Sequence, residues 1–332
     1  MEATQNPTAQ LFTWKRFIIL GAVAMILSLS LFMSILAPLP LALAVLFYGR
    51  TKGSALVLAG LFGFWLLGYS VAQDYSAVVI FGYVSLMAFI IAEVATRKIR
   101  PSYSLVKIGA SIFLLAMISL GVWLSMQDQP ALEFVETQIV IPNVKEINSQ
   151  LDKVVAPASP GRQDVVALLS NTKFLTREVF TNFPFMVFAF VMLTLWLNSY
   201  LLLKGRRLLT GTQEVRFSEF DLLSFRMPDQ FVFLVIASLV LILYGENLGW
   251  VNGEIYGMMT LKCLAVLYFL HGLGVMIQVL SFWKIRGFLR IVIVALVIGI
   301  ANWILSAIGL LDTWFDFRRK VVLGFKDKDL DK

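Results

Sequence analysis

Five polar side chains stand inside runs that are otherwise apolar: Asn198, Lys262, His271, Gln278 and Asn302, with Glu93 close to the end of another such run. A buried amide or ionisable group is poorly solvated by lipid, so each is a default candidate for contact with a small molecule. His271 and Gln278 share one helical face, while Lys262 points to the opposite side. For His271 two readings stand side by side, a hydrogen-bonded packing role and ligand or proton handling. Lys262 can snorkel toward the interface, and Asn198 and Asn302 suit interhelical hydrogen bonds as readily as ligand contacts. Glu93 is placed to pair with the basic cluster of Arg97, Lys98 and Arg100.

These residues make no catalytic set. No paired carboxylates, GxSxG elbow, HExxH helix or Walker loop occurs in the sequence, so no enzyme activity is expected and any use of ATP belongs to a separate subunit. One cysteine, Cys263, and one histidine leave no intramolecular disulfide, thiolate metal site or multi-histidine site, and neither a metal nor another cofactor is expected.

The elements that hold these residues are set by composition. Hydrophobic residues make up 59% of the chain and charged ones 15%, against roughly 25% charged in soluble domains, and mean hydropathy is +0.81. This composition excludes a soluble enzyme. The net charge of +7 does not point to nucleic acid, because Lys and Arg sit in short clusters between apolar stretches, as cytoplasmic loops do. The expected fold is all-α, a polytopic transmembrane bundle of eight or nine membrane segments with a cytoplasmic N-terminus.

Nine apolar stretches can be read along the chain. The first, 17–36, carries no charge and is long enough to cross a bilayer; Lys15 and Arg16 precede it as in an uncleaved first span. Pro38 and Pro40 then introduce a short stretch at 41–49, too short to cross alone in ideal geometry and expected to tilt among its neighbours. Spans follow at 53–72, 77–95 and 105–125. The region 127–181 is the one long polar stretch, with charges of both signs, and is expected outside the cytoplasm.

Within that region Val144, Ile147, Leu151 and Val154 mark one amphipathic helix, the PASPG run at 157–161 breaks it, and Val165, Leu168, Leu175 and Val179 mark a second. They are read as lying along the bundle or the headgroups, with a ligand-covering lid as the alternative. Further spans are read at 183–203, 231–244, 255–282 and 291–311. Counting nine crossings from inside puts Arg318, Arg319 and Lys320 outside although they look like a cytoplasmic anchor, so either one late segment is re-entrant or the tail is an exception. The domains read as 1–126, an extracytoplasmic insert at 127–181, 182–320 and a polar tail at 321–332.

Small residues mark helix contacts: Ala24 with Ser28, Ser30 with Ser34, Ala55 with Ala59 and Gly63, and Ala295 with Gly299. Gly245, Gly249, Gly253 and Gly257 also step by four, but Glu246, Asn252 and Glu254 lie among them. That pattern favours an outer hairpin needing flexible backbone, with a discontinuous helix lining a substrate cavity as the alternative.

Four stretches together resemble the YybS-like family of predicted bacterial membrane proteins, a family defined by a domain of unknown function. They are PLPLALAVLFYG at 38–49, FRMPDQFVF at 225–233, YFLHGLGV at 268–275 and GLLDTWFDFRRK at 309–320, and they place Pro38, Pro40, Gly49, Pro228, Asp229, Gly272, Asp312, Asp316 and Arg318 in family motifs. Physically, Pro228 and Asp229 suit a helix start. Asp312 and Asp316 suit ion pairs with Arg318 and Arg319 one turn away, or a partner-docking surface. The resemblance implies distant kinship to the substrate-binding S components of energy-coupling-factor transporters. On that basis the chain is expected to bind a small molecule, of unknown identity, and to work with membrane partner subunits. A scaffold or regulatory subunit without substrate is the alternative, and convergence of Asn198, His271, Gln278 and Asn302 on one pocket would favour the binder.

Overall fold

The computed structural model describes residues 14–30, 32–72, 75–96, 100–154, 162–205, 217–250, 252–285, 287–300 and 302–317. Its helices are α1 (Trp14–Ser28), α2 (Pro38–Tyr48), α3 (Arg50–Leu67), α4 (Ser76–Thr96), α5 (Pro101–Ser125), α6 (Ala131–Val135), α7 (Ile141–Val154), α8 (Arg162–Ser170), α9 (Thr172–Lys204), α10 (Glu219–Leu223), α11 (Phe231–Tyr244), α12 (Gly253–Phe282), α13 (Gly287–Ile300) and α14 (Asn302–Phe315). Among the described residues there is no strand.

Among the described residues five helices are long and apolar enough to cross a membrane: Arg50–Ser70, Ser76–Thr96, Pro101–Ser125, Thr172–Lys204 and Gly253–Phe282; a sixth is added if α13 and α14, bent by 98° to each other, count as one span. The expectation of eight or nine crossings meets fewer helices of spanning length for local reasons. The first apolar stretch stops being α-helical at Ser28 and passes through a short 3-10 turn at Met33–Ile35 before Pro38. α11 is only 14 residues long, and the last stretch is split between α13 and α14. The run at 157–161, the basic residues 97–98 and 206–207, and Arg318, Arg319 and Lys320 lie outside the described residues.

The chain divides into two compact units. The first comprises 1–109, 190–227 and 268–332, and the second 110–189 and 228–267.

In the first unit, α2 starts with Pro38 and Pro40 in its opening turn, where a missing N–H costs nothing, and stops at Gly49, whose φ of +86° only glycine adopts readily. Gly49 also precedes α3 directly, so α2 and α3 form a tight corner; a Cβ on Gly53 would meet Val45 Cγ2 at 2.6 Å. Pro38, Pro40, Leu41, Ala42, Ala44, Val45 and Leu46 are all buried. This short helix therefore sits among α1, α3 and α4, as its length requires.

The α3 face that packs is Gly53, Val57, Gly60 and Phe64. The expected stripe is displaced from it: Ala55 and Ala59 are exposed, as are Ala295 and Gly299. Gly60 is the reason, because the Phe81 ring fills the space a Cβ would need, with Cε1 at 2.5 Å, and meets the Phe64 ring at a tilt with centroids 5.2 Å apart. In α1 the expected pair is buried, and the Ser28 hydroxyl is satisfied by the Ala24 carbonyl at 2.7 Å. Such back-bonding lets a hydroxyl sit in lipid or core without a stranded donor.

In the second unit the first amphipathic stretch is α7, as its periodicity predicts. The second is divided: Asn171 separates α8 from α9 and accepts the Phe174 N–H through Oδ1 at 3.2 Å. From there α9 runs 33 residues through Pro184, about 50 Å at 1.5 Å per residue. The boundary expected near residue 181 is thus the interior of one helix. Val165 and Leu168 are exposed while Leu169 is buried. The glycine series forms the expected hairpin: α11 ends in a turn where Gly249 has φ +78°, and a Cβ on Gly245 would meet the Gly253 Cα at 2.9 Å.

Candidate functional site

α14 buries only one face, Leu305, Gly309 and Asp312, at steps of four and three. That face meets α12 at Gly272. A Cβ on Gly272 would overlap the Leu305 carbonyl oxygen, and one on Gly309 would overlap the Tyr268 carbonyl oxygen, so the two backbones cross with no side chain between them. His271 precedes Gly272 and Asp312 lies one turn beyond Gly309. The crossing therefore brings His271 Nε2 to 2.9 Å from Asp312 Oδ2, with both side chains at 0% exposure.

A third segment closes over this pair. Residues 224–227 alternate, with Phe225 and Met227 buried, Arg226 half-buried and Ser224 exposed, so this non-helical run inserts every second side chain. Phe225 meets His271 edge-on with centroids 6.4 Å apart, Trp196 at 5.4 Å and Tyr103 at 5.8 Å. The Tyr103 hydroxyl donates to the Arg226 carbonyl at 3.2 Å, and the Arg226 guanidinium pairs with Asp316 Oδ1 at 3.6 Å. Asp316 holds a φ of +46°, and its N–H closes back on the Asp312 carbonyl at 3.1 Å.

The ion pairs expected with Arg318 and Arg319 fall on residues outside those described; the described partners of the two carboxylates are distant in sequence. Asp312 goes to His271, 41 residues away, and Asp316 goes to Arg226. Arg318 lies outside the described residues. Three of the four motif stretches come together here; the fourth is α2. Pro228 and Asp229 lie just before α11, where their carbonyls accept the N–H groups of Phe231 and Val232 at 3.0 and 3.1 Å.

The remaining candidates go elsewhere. The Asn198 amide donates to the carbonyls of Ile35 and Thr194, each at 2.6 Å. Lys262, in the other unit, donates to Asn182 Oδ1 at 2.6 Å and so bonds a neighbouring helix. Gln278 is half-buried and Asn302 is exposed. Glu93 pairs with Arg50 of α3. Within the first unit Asn198 and His271 thus bond different segments, and Lys262 makes its own helix contact within the second.

A cavity of about 310 Å³ lies in the second unit. Three segments reach it: α6 and the turn after it with Leu132 and Glu136, the start of α9 with Lys173 and Arg177, and the α11–α12 hairpin with Glu246 in its turn and Glu254 at the start of α12. Arg177 and Glu254 form an ion pair at 2.5 Å. Glu136 Oε1 accepts the Thr172 hydroxyl at 2.7 Å. Thr176, 3% exposed, floors the cavity and returns its hydroxyl to the Thr172 carbonyl at 2.8 Å.

Lys173 and Arg177 escaped the sequence reading because charged residues at a helix start resemble any solvated turn. Their spacing of four was the available signal. Among the described residues no group of three or more His, Cys, Asp or Glu side chains is arranged to hold a metal.

The family model described as Predicted membrane protein (DUF2232) matches residues 16–313. No curated protein and no solved structure matches the chain.

Proposed function

Because the chain belongs to the DUF2232 family of predicted membrane proteins, we propose that it is a membrane subunit that takes a small polar solute into the cavity of its second unit. In this reading the protein sits in the bacterial inner membrane with eight or nine membrane segments, shorter helices among them. The N-terminus is cytoplasmic, and the 127–181 insert with the cavity faces the opposite side. The role is binding in the service of transport, as kinship to S components implies, without catalysis. Partner subunits supply the energy.

The observation that carries the proposal is the cavity itself. Charged side chains from three segments distant in sequence converge on about 310 Å³ of space, the lower end of the roughly 300–1,000 Å³ of ligand sites. The scaffold alternative draws on a different observation, that Asn198, Lys262 and His271 are used in separate helix contacts. Purification in mild detergent followed by native mass spectrometry separates the two. A retained small molecule supports the solute-binding subunit, and a stoichiometric protein partner with no small molecule supports the scaffold.

A further inference from the structure

Resting on the reading of the cavity as a solute site, we propose that its ligand is a small zwitterion, held by Lys173 at its anionic end and by Glu246 at its cationic end. The assignment follows from which charges are already used. Arg177 and Glu254 neutralise each other at 2.5 Å. Glu136 accepts a hydroxyl from Thr172 at 2.7 Å. Lys173 and Glu246 line the same cavity from different chain segments, and among the described residues neither side chain has a hydrogen-bonding or ionic partner.

One ammonium and one carboxylate thus stand ready on one cavity without joining each other. A simple anion would face three lining carboxylates against two cations, and a simple cation would leave Lys173 unanswered. A molecule carrying both charges answers both groups and adds no net charge. Leu132 and Ile255 supply apolar wall beside the charges, so the ligand carries an apolar part as well. These features together describe an amino acid or a close relative with a hydrocarbon side chain. A charge-assisted hydrogen bond at each end is enough to separate a zwitterion from its singly charged analogues by about tenfold or more.

The experiment measures binding to the full-length protein in detergent, using leucine, isoleucine, valine and methionine as probes. For each probe the deaminated acid and the decarboxylated amine are run alongside, 4-methylpentanoate and 3-methylbutylamine in the case of leucine. At least one parent amino acid is expected to bind about tenfold or more tightly than both of its analogues. Lys173→Gln and Glu246→Gln each remove that preference, and the exchange K173E with E246K restores part of it. Elution on size exclusion at the wild-type volume shows that the variants are folded. Equal binding of parent and analogues, or a preference that survives in both variants, overturns the zwitterion and leaves a solute site of another class. No binding by any probe overturns the zwitterion, and if native mass spectrometry also finds no retained solute, the reading of the cavity fails with it.

Discussion

Removing one partner of the His271–Asp312 pair is the most informative perturbation of the first unit. Both side chains are at 0% exposure and 2.9 Å apart, so His271→Leu removes this partner from a carboxyl group and Asp312→Leu removes it from an imidazole, each inside packed protein. Breaking a buried pair from one side costs about 3–5 kcal/mol, whereas replacing both partners by apolar groups is often close to neutral. Ordinary interhelical hydrogen bonds in membrane bundles couple by only about 0.6 kcal/mol on average and about 1.7 at most. Full burial places this pair above that range. Each single Leu variant should lose about 3 kcal/mol and the double variant less than either. The assay is reversible unfolding by dodecyl sulfate in mixed micelles, followed by far-UV circular dichroism. Additive losses, with the double variant the least stable, would refute the reasoning.

Other perturbations test neighbouring claims with the same unfolding assay. Gly272→Val forces a side chain against the Leu305 carbonyl and should cost at least about 1–3 kcal/mol, the usual penalty of overpacking; wild-type stability would mean that α12 and α14 do not cross there. Gly49→Ala has nothing within 4 Å of the new Cβ, so its loss of about 1–3 kcal/mol comes from backbone strain at positive φ alone. Asn198→Leu strands the Ile35 carbonyl that the amide now serves at 2.6 Å. A loss of about 1–3 kcal/mol is expected, and the same loss in Asn198→Asp, which keeps the shape but not the donor, would tie it to the hydrogen bond.

In each unit some elements were legible in the sequence because a few local residues dictate them. Pro38, Pro40 and Gly49 define a short helix whatever surrounds them, and Val144, Ile147 and Leu151 define the α7 face by period alone. Helix faces were less legible. Ala55, Ala59 and Gly63 look like a packing stripe, yet Phe81 selects the face with Gly60, and only the partner helix carries that information. The His271–Asp312 pair spans 41 residues, and no local period connects its members. Its trace in the sequence is indirect, a glycine beside each polar group, Gly272 next to His271 and Gly309 one turn before Asp312. The cavity was less legible still. Glu246 and Glu254 stood out among the glycines, but Lys173 and Arg177 look like any solvated helix start until three segments fold together.

Whether a solute meets this protein between Lys173 and Glu246 is decided most directly by a density map. Cryo-electron microscopy of the full-length protein, purified in lipid nanodiscs with its native solute retained, should show a compact non-protein density in that cavity, touching the Lys173 ammonium and the Glu246 carboxylate. A map in which the cavity holds only solvent while a retained compound sits elsewhere in the bundle would contradict the account.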